Sequence, residues 1–170
     1  ARSMNQIEFI VQDLQQVRTY TLNILSHVAE DDWFRQPQEG INHIAWQVGH
    51  LAIVEYNLCL KRIRGEKAED ESLIPLERYS SLFGKGSQPL PNATDYPSPA
   101  EIKSVLDAVH ARALDETSSL SPDQLDESCG APHPMFSTKA GALRFCPKHE
   151  MLHAGQIALL RRLYGGESLR

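Results

Sequence analysis

Apolar residues recur along this chain with helical spacing. Over residues 5–28, Ile7, Ile10, Leu14, Val17, Thr21, Ile24 and Val28 form a stripe three or four residues apart, widened by Val11 and Leu25. That pattern predicts a first long helix, ended by Glu30-Asp31-Asp32. After a turn at 37–40, a second helix is expected from residue 41 or 42 to about 64. Ile44, Val48, Leu51, Val54 and Leu58 would face inward, and Gly65 would stop it. Residues 66–97 break the rhythm with Pro75, Pro89, Pro91 and Pro97. They read as a long crossover loop holding a short helix near 76–83, and loops of this length are uncommon and often functional. Ser98-Pro99-Ala100-Glu101 is a helix start, with Ser98 as cap, Pro99 in the first turn and Glu101 completing a capping box. The third helix then runs to about 118, and a short turn begins at Ser121. A loop over 127–137 leads to a last helix from about 138 to 164. Pro147 inside it predicts either a kink or a new helix start.

No segment shows the period-two alternation of a strand of any length. Four long amphipathic segments predict an all-α four-helix bundle, with the long crossover loop between helices two and three. The 170 residues make one domain, 1–170, large enough to bury a core without staples.

Composition narrows the function classes. The net charge is −5, which argues against nucleic acid as a partner, since phosphate contacts need clustered cations. The basic runs Lys61-Arg62-Ile63-Arg64 and Arg161-Arg162 fall near predicted helix C-termini, where they offset the dipole. No apolar run approaches the ~18 residues that span a bilayer, so no membrane partner is expected. Cys59, Cys129 and Cys146 form no CxxC pair and no disulfide framework. The opening residues show no apolar signal stretch, and a reducing cytoplasm is the expected compartment.

The chemistry-bearing segment is His149-Glu150-Met151-Leu152-His153-Ala154-Gly155-Gln156. Histidines four apart on a helix differ by about 40° in direction and about 6 Å in height, so both rings can reach one ion. Leu152, Ile157, Leu160 and Leu163 set this pair in an apolar context, where two inward imidazoles are costly without a shared partner. The plain alternative is a pair of hydrogen-bonded or surface histidines. His50, amid Ala45-Trp46-Gln47-Val48-Gly49-His50-Leu51-Ala52, is the best third ligand, and Gly49 beside it allows another helix to come close. Alone, His50 would read as a hydrogen-bonded core histidine. With the pair it gives a three-imidazole set that leaves coordination positions open for water or substrate, as in catalytic sites. His43, seven residues earlier, lies about 10 Å along the axis and reads as pocket-lining or a helix-start residue. Asn57 reads as a pocket group, and His27, His110 and His133 as surface or loop residues.

Residues 149–153 also match HExxH, the zinc-protease signature, in which the glutamate is the general base. The extended form fails, with Gln156 where glycine and Leu159 where a third histidine should stand. Glu150 therefore remains a weak catalytic candidate, with a structural role at least as well supported.

Trp46-Gln47-Val48-Gly49-His50-Leu51, taken with 149–157, resembles the DinB-like superfamily in motif and, over nearly the whole chain, in layout. The resemblance implies a four-helix bundle, a metal held by His50, His149 and His153, and often a homodimer. It also implies, for some relatives, thiol-dependent chemistry such as bacillithiol transfer and mycothiol-dependent maleylpyruvate isomerisation. The expected cofactor is one divalent ion, zinc or nickel first and iron behind them. Three functions are open: a metal-dependent transferase acting on a small-molecule substrate with a low-molecular-weight thiol, a metal-dependent hydrolase, or a non-enzymatic metal- or ligand-binding module. Trp46, Asn57, Glu150 and the 66–97 loop are the candidate substrate contacts.

Overall fold

A computed structural model describes residues 2–90 and 92–169. Helix α1 spans Gln6–Ser26 and starts at a capping box. Asn5 accepts from the Glu8 amide, and the Glu8 carboxylate accepts from the Asn5 amide, both at 2.9 Å. Its expected stripe is buried at Ile10, Leu14, Val17, Thr21 and Ile24, together with one charged residue, Arg18.

Helix α2 spans Ile44–Tyr56 and is buried on nearly every side. The helical path continues through a π-helical turn, Asn57–Lys61, into the short α3, Arg62–Arg64. Gly65 ends it at φ 83°, a left-handed conformation that favours glycine. The crossover holds α4, Leu76–Phe83, where the sequence predicts it. Next come α5, Pro99–Ser118, capped by Ser98, and the single-turn α6, Pro122–Leu125. The expected Glu101 capping box is not formed; Ser98 alone accepts, from the Glu101 amide. The last helix, α7, runs unbroken over Lys139–Leu163 with Pro147 inside it. Pro147 has no N–H, so it cannot donate to the Leu143 carbonyl one turn back.

The segment read as a loop over 127–137 is instead a small antiparallel hairpin, β1 Ser128–His133 and β2 Phe136–Thr138. The bundle itself is α1, α2, α5 and α7, each packed on two others in a ring. Glu55 pairs with His110 and Arg64 with Glu116, so α2 and α5 run in the same direction. Arg18 pairs with Glu150 and Arg161 reaches the His27 carbonyl, so α1 and α7 also run together. Two parallel neighbours need a connection that returns the length of the bundle, which is why the 66–97 crossover is long. Among the described residues, no helix is long and apolar enough to cross a membrane.

Candidate metal centre

His50 stands midway along α2, and His149 and His153 stand one turn apart on α7, opposite it. One ring nitrogen from each lies within 4.8 Å of the others. The Nε2 atoms of His50 and His149 are 3.2 Å apart. Two imidazoles held about 2.05 Å from one ion at a tetrahedral angle would sit about 3.3 Å apart, so this spacing fits a shared ion. His50 and His153 are buried, and His149 is half-buried.

Two rings are oriented by acceptors behind them. His50 Nδ1 lies 2.6 Å from the Phe83 main-chain carbonyl. A carbonyl can only accept, so Nδ1 carries the proton and Nε2 turns a lone pair toward the cluster. His153 Nδ1 lies 2.6 Å from Gln47 Oε1, and the Gln47 amide nitrogen donates to Gln156 Oε1 at 2.8 Å. Metal-binding histidines are commonly held by such outer acceptors.

Gly49 makes the first of these contacts possible. A Cβ at residue 49 would lie 2.4 Å from Phe83 Cγ. The close approach foreseen at Gly49 comes from α4 in the crossover, which delivers both the Phe83 ring and its carbonyl. Trp46 stacks on the His50 ring, centroids 4.4 Å apart, and its indole N–H donates to Ser87 Oγ in the same crossover at 2.8 Å.

Burial keeps the cluster neutral. His149 is pushed down to about 4, by loss of water and then by His50. His153 is pushed down to about 3, by loss of water and then by His149 and His50. His50 is also lowered by burial, against the pull of the Phe83 carbonyl. Three neutral imidazoles are the protonation state that divalent ions require. The donor set, the spacing and the orientation therefore all fit a metal.

Glu150 lies elsewhere. It accepts from Arg18 Nε at 2.9 Å and from Thr21 Oγ1 at 2.8 Å. Arg18 also contacts Glu55 at 3.2 Å and donates to the Leu106 carbonyl. Burial works against the Arg18 charge, but Glu55 and Glu150 outweigh it and hold the guanidinium above its ordinary value. All three charged groups are buried, so Glu150 is committed to a charge cluster inside the bundle. His43 caps α2, its Nδ1 accepting from the Trp46 amide. Asn57 opens the π turn. Neither belongs to the three-histidine group. His110 pairs with Glu55 at 2.9 Å rather than sitting free on the surface, and His133 stacks on Phe136 in the hairpin. All three cysteines are buried and unpaired.

Two supports of the site lie outside the candidate residues, the Phe83 carbonyl and Gln47. The Phe83 carbonyl is main chain and carries no residue signal. Gln47 does carry one: it is a polar side chain within the apolar run 44–49, one turn before His50.

Three imidazoles brought together from two antiparallel helices of a helical bundle make a group that could hold a metal ion. The DinB superfamily model matches residues 13–157, and the chain belongs to that superfamily. A crystal structure of a conserved protein from Enterococcus faecalis is similar in fold, with a TM-score of 0.65 at 15% sequence identity. The match covers 97% of this chain and all of that one. A comparison with curated proteins returns no match.

Proposed function

We propose that the chain holds one divalent ion through His50, His149 and His153 and is a metal-dependent enzyme, a transferase that uses a low-molecular-weight thiol. The observation that carries this is that one ring nitrogen from each of His50, His149 and His153 lies within 4.8 Å of the others, with an acceptor at Nδ1 of both His50 and His153. Three protein ligands leave positions open for a small molecule. When bound, the ion supplies Lewis acidity that lowers the pKa of a thiol or water. The protein's own residues hold the three imidazoles neutral, and Trp46 covers one face of His50. Half-buried His149 is the most accessible of the three.

A thiol suits this site better than water does. The one carboxylate next to a ligand in sequence, Glu150, is tied to Arg18 and is not free to serve as a base. A thiol starts from a far lower pKa than water, so it needs no such base. The fit to a small-molecule substrate follows from the same open positions.

Metal analysis of protein purified without chelator tests the centre, with about one equivalent expected in the wild type and a large loss in His153→Ala. Zinc- or nickel-loaded protein is then assayed with several thiols and an electrophile. A rate above background that needs both thiol and metal supports the transferase. Turnover of esters or amides without thiol would replace it with the hydrolase, and no turnover of either kind would leave a binding module.

A further inference from the structure

We propose that Gln47 is the positioning residue of the metal centre: its side-chain carbonyl fixes His153 in the Nδ1–H tautomer and so turns the His153 Nε2 lone pair toward the ion. This rests on the metal reading above and extends it to a residue outside the ligand set.

The three histidines are not held alike. His50 leans on a main-chain carbonyl, that of Phe83, which no side-chain substitution removes directly. His149 has its Nε2 beside His50 and its ring near Phe145, with centroids 6.2 Å apart. His153 depends on a side chain. Gln47 lies one turn before His50 on α2, so the helix that supplies one ligand also supplies the support for another. Gln47 and His153 are both buried, and their contact is 2.6 Å. In such a setting a lost acceptor is not replaced by water, and an imidazole without it is free to rotate or change tautomer.

The amide has two orientations, and they have opposite consequences. With Oε1 toward His153, Nδ1 donates and Nε2 is free for an ion. With the amide turned over, its N–H donates to Nδ1, the ring proton moves to Nε2, and coordination there is blocked. The structure has the first orientation, with the Gln47 amide nitrogen donating to Gln156 Oε1 at 2.8 Å. Gln156 is exposed on α7, so its own amide is free to turn over.

This arrangement predicts unequal behaviour of two variants. Gln47→Met keeps the length and the packing but removes the acceptor. Gln47→Glu keeps the acceptor and cannot adopt the blocking orientation, because a carboxylate only accepts; exposed Gln156 can turn to donate to it. Both proteins are titrated with zinc against a chelator of known affinity, and with cobalt(II), whose absorption bands report the ligand field. Outer-shell acceptors commonly contribute 10–100-fold in metal affinity. Gln47→Met is expected to lose affinity in that range with altered cobalt bands. Gln47→Glu is expected to bind at least as tightly as wild type with bands close to it. Gln156→Ala is expected to change affinity by no more than a few-fold.

Gln47→Met binding within twofold of wild type overturns the proposal. Equal losses in Gln47→Met and Gln47→Glu also overturn it, since they would mark Gln47 as packing only. Urea unfolding of each metal-free variant separates a folding defect from a binding one. Wild type that binds neither metal overturns the metal centre itself, an outcome distinct from the other two.

Discussion

Two helical glycines should respond in opposite directions to the same substitution. A Cβ at residue 49 would lie 2.4 Å from Phe83 Cγ and 2.5 Å from both Cδ atoms. Ordinary carbon contacts run about 3.5–4 Å, so the ring must retreat by about 1 Å or more. Phe83 is fully buried in the main core cluster, and such cores have little room to yield. Overpacking of this kind costs about 1–3 kcal/mol, and the severity of the clash points to the upper part of that range. Alanine in a helix interior returns about 1 kcal/mol relative to glycine. Gly49→Ala is therefore expected to lose about 1–2 kcal/mol net. Gly155 on α7 is the internal control, because a Cβ there meets nothing within 4 Å. Gly155→Ala should gain about 0.5–1 kcal/mol. Urea unfolding of metal-free protein measures both, provided the slopes match wild type. Metal titration adds a second readout, because retreat of Phe83 also draws its carbonyl from His50. Gly49→Ala should weaken metal binding, and Gly155→Ala should not. A raised urea midpoint for Gly49→Ala would refute the claim that Phe83 packs onto this glycine.

Three further outcomes are expected. Arg18→Met leaves Glu55 and Glu150 buried without their cation, and removing one partner of a buried pair costs about 3–5 kcal/mol; urea unfolding that shows less than about 1 kcal/mol would mean water or another cation already serves the two carboxylates. Asp70 is buried and held well below the usual carboxylate range, chiefly by Arg64 against the cost of burial, with help from the Lys67 amide and Tyr56. Its ionised form thus contributes stability that is complete above about pH 4 and is lost as pH falls through and below the ordinary aspartate value. Asp70→Asn should be less stable than wild type at neutral pH and should close the gap on acidification; a gap independent of pH down to about 2 would count against it. Zinc at a hundred times its dissociation constant should stabilise wild type by about 2.7 kcal/mol, and the gain should vanish in His153→Ala when thermal midpoints are compared.

The parts of the molecule visible in sequence are those carried by periodicity. The stripes of α1, α2, α5 and α7 follow from apolar spacing, and Ser98-Pro99 and Gly65 mark a start and a stop. The short α4 was visible because its flanks hold the prolines and glycines. The hairpin was not, because nearly all of β1 is exposed or half-exposed and so lacks the alternation that burial imposes. The π turn leaves no residue pattern at all. Arg18 sits between Val17 and Thr21 on the α1 stripe, and only the two carboxylates from α2 and α7 make its burial tolerable. The three histidines are legible from the local i, i+4 spacing, whereas their apolar setting is only half as read: Ile157 and Leu160 are buried, but Leu152 and Leu163 are exposed. Their supports are not legible, since one is a backbone carbonyl 33 residues from His50 and the other is a side chain 106 residues from His153.

The contacts of Glu150 show what the HExxH pattern leaves unspecified. The motif specifies two rings on one helix face, but it does not say what waits on the adjacent face. In this chain Arg18 waits there, 132 residues away in sequence. The same turn of α7 thus faces two chemistries. His149 and His153 meet His50 on α2, while Glu150 meets Arg18, which in turn holds Glu55 on α2. The charge cluster therefore links α1, α2 and α7, and it constrains how α7 is rotated about its axis. That rotation decides whether the two α7 rings point at His50. In this chain the Glu150 carboxylate is occupied by Arg18 and Thr21 on α1, the helix packed directly against α7.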